Sequence, residues 1–578
     1  MRGVAEQDGD TAGTTAKETI EMDATNPGDD VSEDVYDVAI IGYGPVGATA
    51  ANLLGASGVR VAVLEREPSP YGRARAISTD EEVLRIWQGV GLAERLKADM
   101  LGDRPIDFVD AGGHSFLSLA PEPRGNGHPT QMFIYQPAVE QVLRAGVGRY
   151  PNVTVMLRHE CVGHEELPGG VRLLVRGPDG VGTVRARYVI ASDGGSSPTR
   201  TRLGIGFEGR TYEDRWLVVD TKVRRPWPDI DRLRFHCNPR RPAVDCPTPL
   251  GHHRWEFPVL PGDDEDELVR QAAVLRLLGE QGVTAEHVEV ARAVVYSHHV
   301  RLAERWRAGR VFLAGDAAHV MPPWIGEGMA SGVRDVANLS WKLAEVLRGT
   351  LPETVLDSYE AERKPHVRRV TAWAVRFGQL VIERRPFAAA LRDPVLRAVM
   401  RVPLLGSWLR AGRWFPDPRY RRGFFSGGRR GMRLARADCV GWLLPQPWVA
   451  DAENVHVRLD DALPEGWVVL RRTGTATGAW ADAGVPVLDV LPGGSGTRPD
   501  AIVDVEGTLL RWMAAHRCDV VVLRPDRFVY GSARASGALV PPPFPGRVTT
   551  RAADIRERTT AWESSRSGRR GSDRVSRL

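Results

Sequence analysis

Apolar residues along this chain gather in short runs that stop at glycine, and in one long stripe at helical spacing. Residues 38–41 form an apolar run of strand length, residues 48–54 are small and apolar at helical spacing, and residues 59–64 form a second apolar run. With Gly42 after the first run and Gly58 before the third, this order predicts strand, tight turn, helix and strand. Residues 189–191 and 311–314 are two further apolar runs, each followed by a turn that carries an aspartate, Asp193 or Asp316. Beyond Gly326, the residues Met329, Val333, Val336, Leu339, Leu343 and Val346 recur at steps of three or four, which predicts a long helix with one buried face. After residue 440, "WVVLRR", "VPVLDVL" and "CDVVVLRPDRFVYG" predict strands, and residues 505–516 predict a helix.

The first turn carries chemistry. Gly42, Gly44 and Gly47 spell GxGxxG between a predicted strand and a predicted helix. Gly42 permits the tight turn, Gly44 lets the backbone approach a pyrophosphate, and Gly47 lets helix and strand pack closely. Pro45 and Val46 open the helix, whose free N–H groups face the phosphates. Glu65, followed by Arg66, ends the second strand about twenty residues on, where a carboxylate accepts hydrogen bonds from a ribose hydroxyl. Strand, glycines, helix, strand and acid in order predict a dinucleotide site, without choosing between FAD and NAD.

The aspartates after the later strands choose. They lie in "YVIASDGGSSPTR", 188–200, and "GDAAHVMPPWIGEGMASG", 315–332, at strand ends where ligands sit in open α/β sheets. With these three fingerprints in this order, residues 35–400 resemble the FAD-dependent aromatic hydroxylases, the single-component flavoprotein monooxygenases. "RARAISTDEEVLRIWQGVGL" (73–92), "YQPAVEQVLR" (135–144) and "DSYEAERKPH" (357–366) extend the likeness, and "RWEFPVLPGD" (254–263) is similar to a strand of the substrate-covering sheet.

The resemblance implies roles. Arg75, Ala76 and Gln136 lie near the cofactor. Asp193 and Gly194 lie near the FAD pyrophosphate and the nicotinamide route, with Arg200 positioning their loop. Gly315 and Asp316 hold the ribityl chain. Pro323, Gly326, Gly328 and Met329 lie along the flavin, with Pro322, Pro323 and Gly326 beside the place where a flavin hydroperoxide forms. The implied reaction uses NADH or NADPH and molecular oxygen to hydroxylate a small phenolic substrate. No residue is identified as the catalytic base. His319 matches a mainly structural position, and His298 and His299 read as strand residues. Position 327 is usually Gln in the family and here is Glu327. Turned to solvent it changes nothing; turned to the flavin it lowers the flavin potential.

Composition narrows the picture. The 578 residues are 42% hydrophobic and 26% charged with a net charge of +4, a globular profile with no charge argument for nucleic acid. No stretch approaches the ~20 apolar residues that span a bilayer, so no membrane partner is expected. Residues 1–34 are acidic and residues 549–578 rich in Arg and Ser, and both read as disordered. Cys161, Cys237, Cys246, Cys439 and Cys518 are scattered without CxxC, which argues against a disulfide framework, disulfide chemistry and a zinc site, and suits the cytoplasm.

The expected fold class is α/β (α+β overall). A Rossmann-like FAD-binding domain occupies 35–205 and 301–400, with some substrate-side structure in its first part. A substrate-domain sheet spans 206–300, a packing arm 401–440, and a C-terminal domain 441–548 resembling the thioredoxin-like domain of larger hydroxylases. A homodimer is left open. "LRPDRFVYG", 523–531, resembles the ending of 3-(3-hydroxyphenyl)propionate/3-hydroxycinnamate hydroxylases and implies ortho-hydroxylation to a 2,3-dihydroxyphenyl product. Polyketide tailoring and non-catalytic flavin binding are the alternatives; a flavin halogenase is disfavoured by the absent WxWxIP signature.

Overall fold

The computed structural model describes residues 35–70, 72, 74–426, 439–535 and 537–544. Both tails expected to be disordered, and residues 427–438 of the expected arm, lie outside the described residues.

The apolar runs form a sheet buried on both faces. Tyr36–Ile41 is central, between Val61–Glu65 and Gly180–Ala191, with Val153–Leu157 beyond the former and Val311–Leu313 beyond the latter, all parallel. Register sets Ile41 against both Leu64 and Ala191, and Ala191 against Leu313. Neighbouring strands therefore end at one edge, which gathers the turns at Gly42, Asp193 and Asp316 from distant parts of the sequence. Helix Pro45–Ala56 packs on helix Glu327–Leu347 through glycine: a Cβ on Gly332 would lie 2.6 Å from Val46 Cγ2 and 2.9 Å from Gly315 Cα.

A second sheet faces this edge. Its strands run His319–Val320, Val288–Ala303, Phe207–Val223, His252–Pro258, Ala243–Thr248, Leu233–His236, Ile106–Val109 and Ser115–Leu119, eight among the described residues. Two of these come from the first part of the chain, and one from the loop after Asp316. The sheet is thus wider than residues 206–300 and tied to the nucleotide domain at both ends. Along His252–Pro258, Trp255 and Phe257 pack against helix Gln271–Gly279, whereas Arg254 and Glu256 face the nucleotide domain.

The C-terminal unit is a mixed sheet, seven strands among the described residues, with its own core of Leu444, Val468, Leu470, Leu509 and Val521. The predicted strands appear as Val468–Arg472, Val487–Pro492, Val520–Leu523 and Val529–Ala533, and the helix as Thr508–Ala515. All five cysteines are buried thiols. Among the described residues no helix is long and apolar enough to cross a membrane, and no cluster could hold a metal.

Candidate active site

A cavity of about 1060 Å³ lies between the strand-end turns and the second sheet. The GxGxxG turn divides its labour. Gly42 has φ of +95°, and a Cβ there would sit 2.5 Å from the Ser192 carbonyl oxygen. A Cβ on Gly47 would sit 2.0 Å from the Gly42 carbonyl oxygen. These two are packing glycines. Gly44 lines the cavity with Pro45 and Val46, and a Cβ on it would meet nothing within 4 Å. Glu65 is half-buried beside the turn, where its carboxylate accepts the N–H of Tyr43 (2.7 Å) and of Glu67 (2.9 Å). Arg66 is exposed, 3.3 Å from Glu67.

The second turn is braced. Asp193 accepts from Ser197 Oγ at 2.5 Å and from the Thr199 N–H at 3.1 Å. That leaves Gly194 on the cavity wall with open space where a Cβ would go. Arg200 donates to the carbonyls of Gly195 (3.0 Å) and Ala317 (3.1 Å) and so ties the second turn to the third. Gln136 lines the cavity and accepts the N–H groups of Arg75 (3.0 Å) and Ala76 (2.7 Å).

The third turn presents Asp316. Its side chain is exposed where it opens on the cavity, and it has no hydrogen-bond partner among the described residues. Burial raises its pKa, while the charges of His319 and Arg75 lower it. Gly315, φ +60°, packs on Val46. Pro322 is extended and leads into a 3-10 turn, Pro323–Ile325. Pro323, Gly326, Gly328 and Met329 line the cavity, and Gly326, φ +67°, ends that turn and starts helix Glu327–Leu347 with no side-chain cap. His319 lies beneath, fully buried, with Nε2 2.6 Å from Asp335 Oδ2. Asp335 also accepts the Gly315 N–H and Arg363 Nε, so His319 is a strut of the loop. His299 lines the cavity; the side chain of His298 lies outside the described residues.

Glu327 turns neither to solvent nor free into the cavity. It is buried and accepts Arg334 Nη1 at 2.7 Å. Arg334 also donates to Glu82 (2.8 Å) and to Asp80. Burial pushes the Glu327 pKa up to about 7; Arg334 lowers it and neighbouring Asp80 raises it. The folded state therefore holds a proton that the unfolded chain loses near the usual 4.5, and stability falls as pH rises between those values. Glu327→Gln removes this penalty, of order 3 kcal/mol at most. The apoprotein variant is expected to melt above the parent at pH 8 and by a smaller margin at pH 5. Thermal melts across that range check it; a margin independent of pH contradicts it.

Several cavity residues were not singled out from sequence. Arg254 is buried and donates to Asp220 (2.7 Å) and to the carbonyls of Arg75 (2.9 Å) and Ala74 (2.6 Å), fixing the Arg75–Ala76 segment from the second sheet. Arg292 is held only loosely, 3.6 Å from Asp220 and 3.5 Å from the Ala74 carbonyl. Glu256 and Tyr296 complete a polar strip in a wall of Leu119, Phe133, Phe235, Phe377 and Trp414. Period-two alternation in "RWEF" is the one signal that places Arg254 and Glu256 on a shared face.

Two uncapped helix starts, Gly44 and Gly326, open on this cavity. Together with open space at Gly44, Gly194 and Gly328 and an unpartnered Asp316, they fit FAD. One helix start suits the pyrophosphate and the other an anionic ring edge.

Comparison with known proteins agrees. Residues 35–374 match the family described as FAD binding domain, and residues 441–539 match the HcaD C-terminal domain. A 3-(3-hydroxy-phenyl)propionate/3-hydroxycinnamic acid hydroxylase of Burkholderia cenocepacia (strain HI2424) is 36% identical over 519 residues, covering 86% of this chain and 94% of that protein. The protein of the same description from Comamonas testosteroni is 35% identical over 557 residues, with the same coverage of each. Among solved structures, aklavinone-11 hydroxylase with FAD and aklavinone shares the fold at TM-score 0.70 and 23% identity, covering 88% of this chain and 97% of that one. The flavin-dependent monooxygenase PieE does so at TM-score 0.71 and 23% identity, covering 87% and 96%.

Proposed function

The chain belongs to the FAD-dependent aromatic hydroxylases, and on that premise we propose that it hydroxylates 3-(3-hydroxyphenyl)propionate and 3-hydroxycinnamate beside the phenol, giving 2,3-dihydroxyphenyl products. Bound FAD supplies hydride acceptance from NADH or NADPH and activation of molecular oxygen. Gly44 and the helix start behind it would hold the pyrophosphate, and Asp316 would hold the ribityl hydroxyls. The free N–H groups after Gly326 would stabilise negative charge on a flavin bound there. Arg254 and Gln136 fix Arg75 and Ala76 from two sides, so this wall is set before anything binds. The aromatic and aliphatic residues of the second sheet keep water from the reacting centre. Five reduced thiols suit a cytoplasmic enzyme.

The observation that carries the substrate reading is Arg292, a loosely held guanidinium in the polar strip of a wall that also presents Leu119, Phe133, Phe235, Phe377 and Trp414. It suits a substrate with one carboxylate and one ring. A panel tests this: 3-(3-hydroxyphenyl)propionate, 3-ethylphenol, and a polycyclic phenol, each with FAD-loaded protein and NADH or NADPH. The phenolic acid is expected to stimulate cofactor oxidation and yield the dihydroxy acid. Loss of the carboxylate should raise KM roughly tenfold or more, the worth of a charge-assisted hydrogen bond. Preference for the polycyclic phenol would replace this reading with polyketide tailoring.

A further inference from the structure

The second sheet places its polar groups in rows. Register sets Arg254, Asp220 and Arg292 side by side on three adjacent strands. The next cavity-facing row, two residues along, is Glu256, Val218 and Val294, with Val244 on the far side of Glu256. Arg254 is saturated by Asp220 and two carbonyls. Glu256 is not: it is 7% exposed, opens on the cavity, and has no hydrogen-bond partner among the described residues. A carboxyl buried without a partner costs free energy that the fold recovers only when something else hydrogen-bonds to it.

We propose that Glu256 is the catalytic residue that accepts the proton of the substrate's phenol hydroxyl. The proposal rests on the hydroxylase reading above. In this step the phenol O–H bond breaks, the proton moves to a Glu256 carboxylate oxygen, and the electron pair stays on the phenolate oxygen, enriching the ortho carbons. When the hydroxylated ring carbon gives up its hydrogen as a proton to water and the C–H electron pair restores the aromatic ring, Glu256 returns its proton to that oxygen. No oxidant or reductant enters the transfer.

Spacing favours this assignment. Glu256 stands two residues along and two strands across from Arg292, roughly 12 Å between their Cα positions, and a phenol with a propionate chain meta to its hydroxyl fills the span left between the two side-chain ends. With the carboxylate at Arg292 and the hydroxyl at Glu256, the carbon between the two substituents is held by anchors on either side. That carbon is the one a 2,3-dihydroxyphenyl product requires. Electrostatics agree. Burial raises the Glu256 pKa, Arg254 lowers it and Asp220 raises it, moving it toward that of a phenol as proton transfer prefers. The other titratable or charged groups of the neighbouring strands that line the cavity are Cys246, Arg292, Tyr296, His299 and Arg301; burial, and then Glu256, keep the Tyr296 hydroxyl protonated.

The test compares wild type, Glu256→Gln and Glu256→Asp as FAD-loaded enzymes. Expected for Glu256→Gln is normal FAD binding, KM within about threefold, and a product-forming kcat lowered about 100-fold, a typical share for general base catalysis. The loss should shrink with a ring-fluorinated substrate whose phenol is already ionised, and Glu256→Asp should recover part of the rate. A wild-type kcat and pH profile in Glu256→Gln overturns the proposal and leaves the hydroxylase reading intact. So does an equal loss on the ionised substrate, or loss of FAD from both variants, which would make Glu256 a determinant of the fold. Absence of phenol-dependent NADH or NADPH oxidation in wild type overturns both readings.

Discussion

Alanine at position 524 is expected to cost about 3–5 kcal/mol of stability and to release the C-terminal unit from the FAD domain. Arg524 is fully buried and donates to both Glu362 oxygens, at 2.8 and 3.0 Å, and to both Asp526 oxygens, at 2.9 and 2.6 Å. Its guanidinium also lies 4.5 Å from the Phe425 ring and 5.2 Å from that of Trp341. Glu362 belongs to the other unit, on helix Ser358–Val381, and accepts Lys342 Nζ at 2.9 Å and Asn338 at 2.6 Å. Burial alone would raise the Glu362 pKa, yet Arg524 and Lys342 hold it at about 2. Without Arg524 the one cation left hydrogen-bonded to this buried carboxylate among the described residues is Lys342, whose own pKa burial has lowered to about 8. Denaturant unfolding with limited proteolysis between the units reads the effect. Arg524→Met, which keeps volume without charge, should fare little better; recovery to wild type would show that packing rather than charge holds the units together.

Valine at position 44 is expected to weaken FAD binding at least 100-fold, about 3 kcal/mol, while the apoprotein folds and melts as before. Gly44 has φ −70° and ψ −172°, a conformation open to any residue, and its Cβ would enter empty space. That space is where a pyrophosphate would lie against the backbone. Gly47→Ala is the contrast: its Cβ cannot fit beside the Gly42 carbonyl, so fold and binding should fail together. Titrating apoprotein with FAD, alongside thermal melts, separates the two. Unchanged affinity in Gly44→Val would move the phosphate site elsewhere.

What the sequence shows and what it hides follow from range. The βαβ unit was legible because strand, glycine turn and helix are local, and so were the aspartate turns at Asp193 and Asp316. Their meeting at one edge required parallel pairing of residues 36–41, 180–191 and 311–313, which no local pattern displays. Residues 106–119 join the second sheet by pairing Ile106 with Leu233, beyond the reach of periodicity. Asp193 shows the limit for single residues: the resemblance implies a place near the cofactor, but no local pattern displays that its carboxylate accepts from Ser197 Oγ and the Thr199 N–H. Glu327 was noticed as unusual, but its direction depends on Arg334 gathering Asp80 and Glu82 from a separate segment. "LRPDRFVYG" was legible as a family mark, whereas Arg524 reaching into the FAD domain was not, because Glu362 lies 162 residues away.

The central claim is that this cavity hydroxylates a phenolic acid with FAD. Its most direct test is turnover of 3-(3-hydroxyphenyl)propionate by the FAD-loaded protein with NADH or NADPH under isotopically labelled oxygen, with the product analysed by mass spectrometry. The account predicts phenol-dependent cofactor oxidation and one labelled oxygen atom per molecule of 2,3-dihydroxyphenyl product. Cofactor oxidation indifferent to the phenol, or a substrate recovered without label, would contradict it.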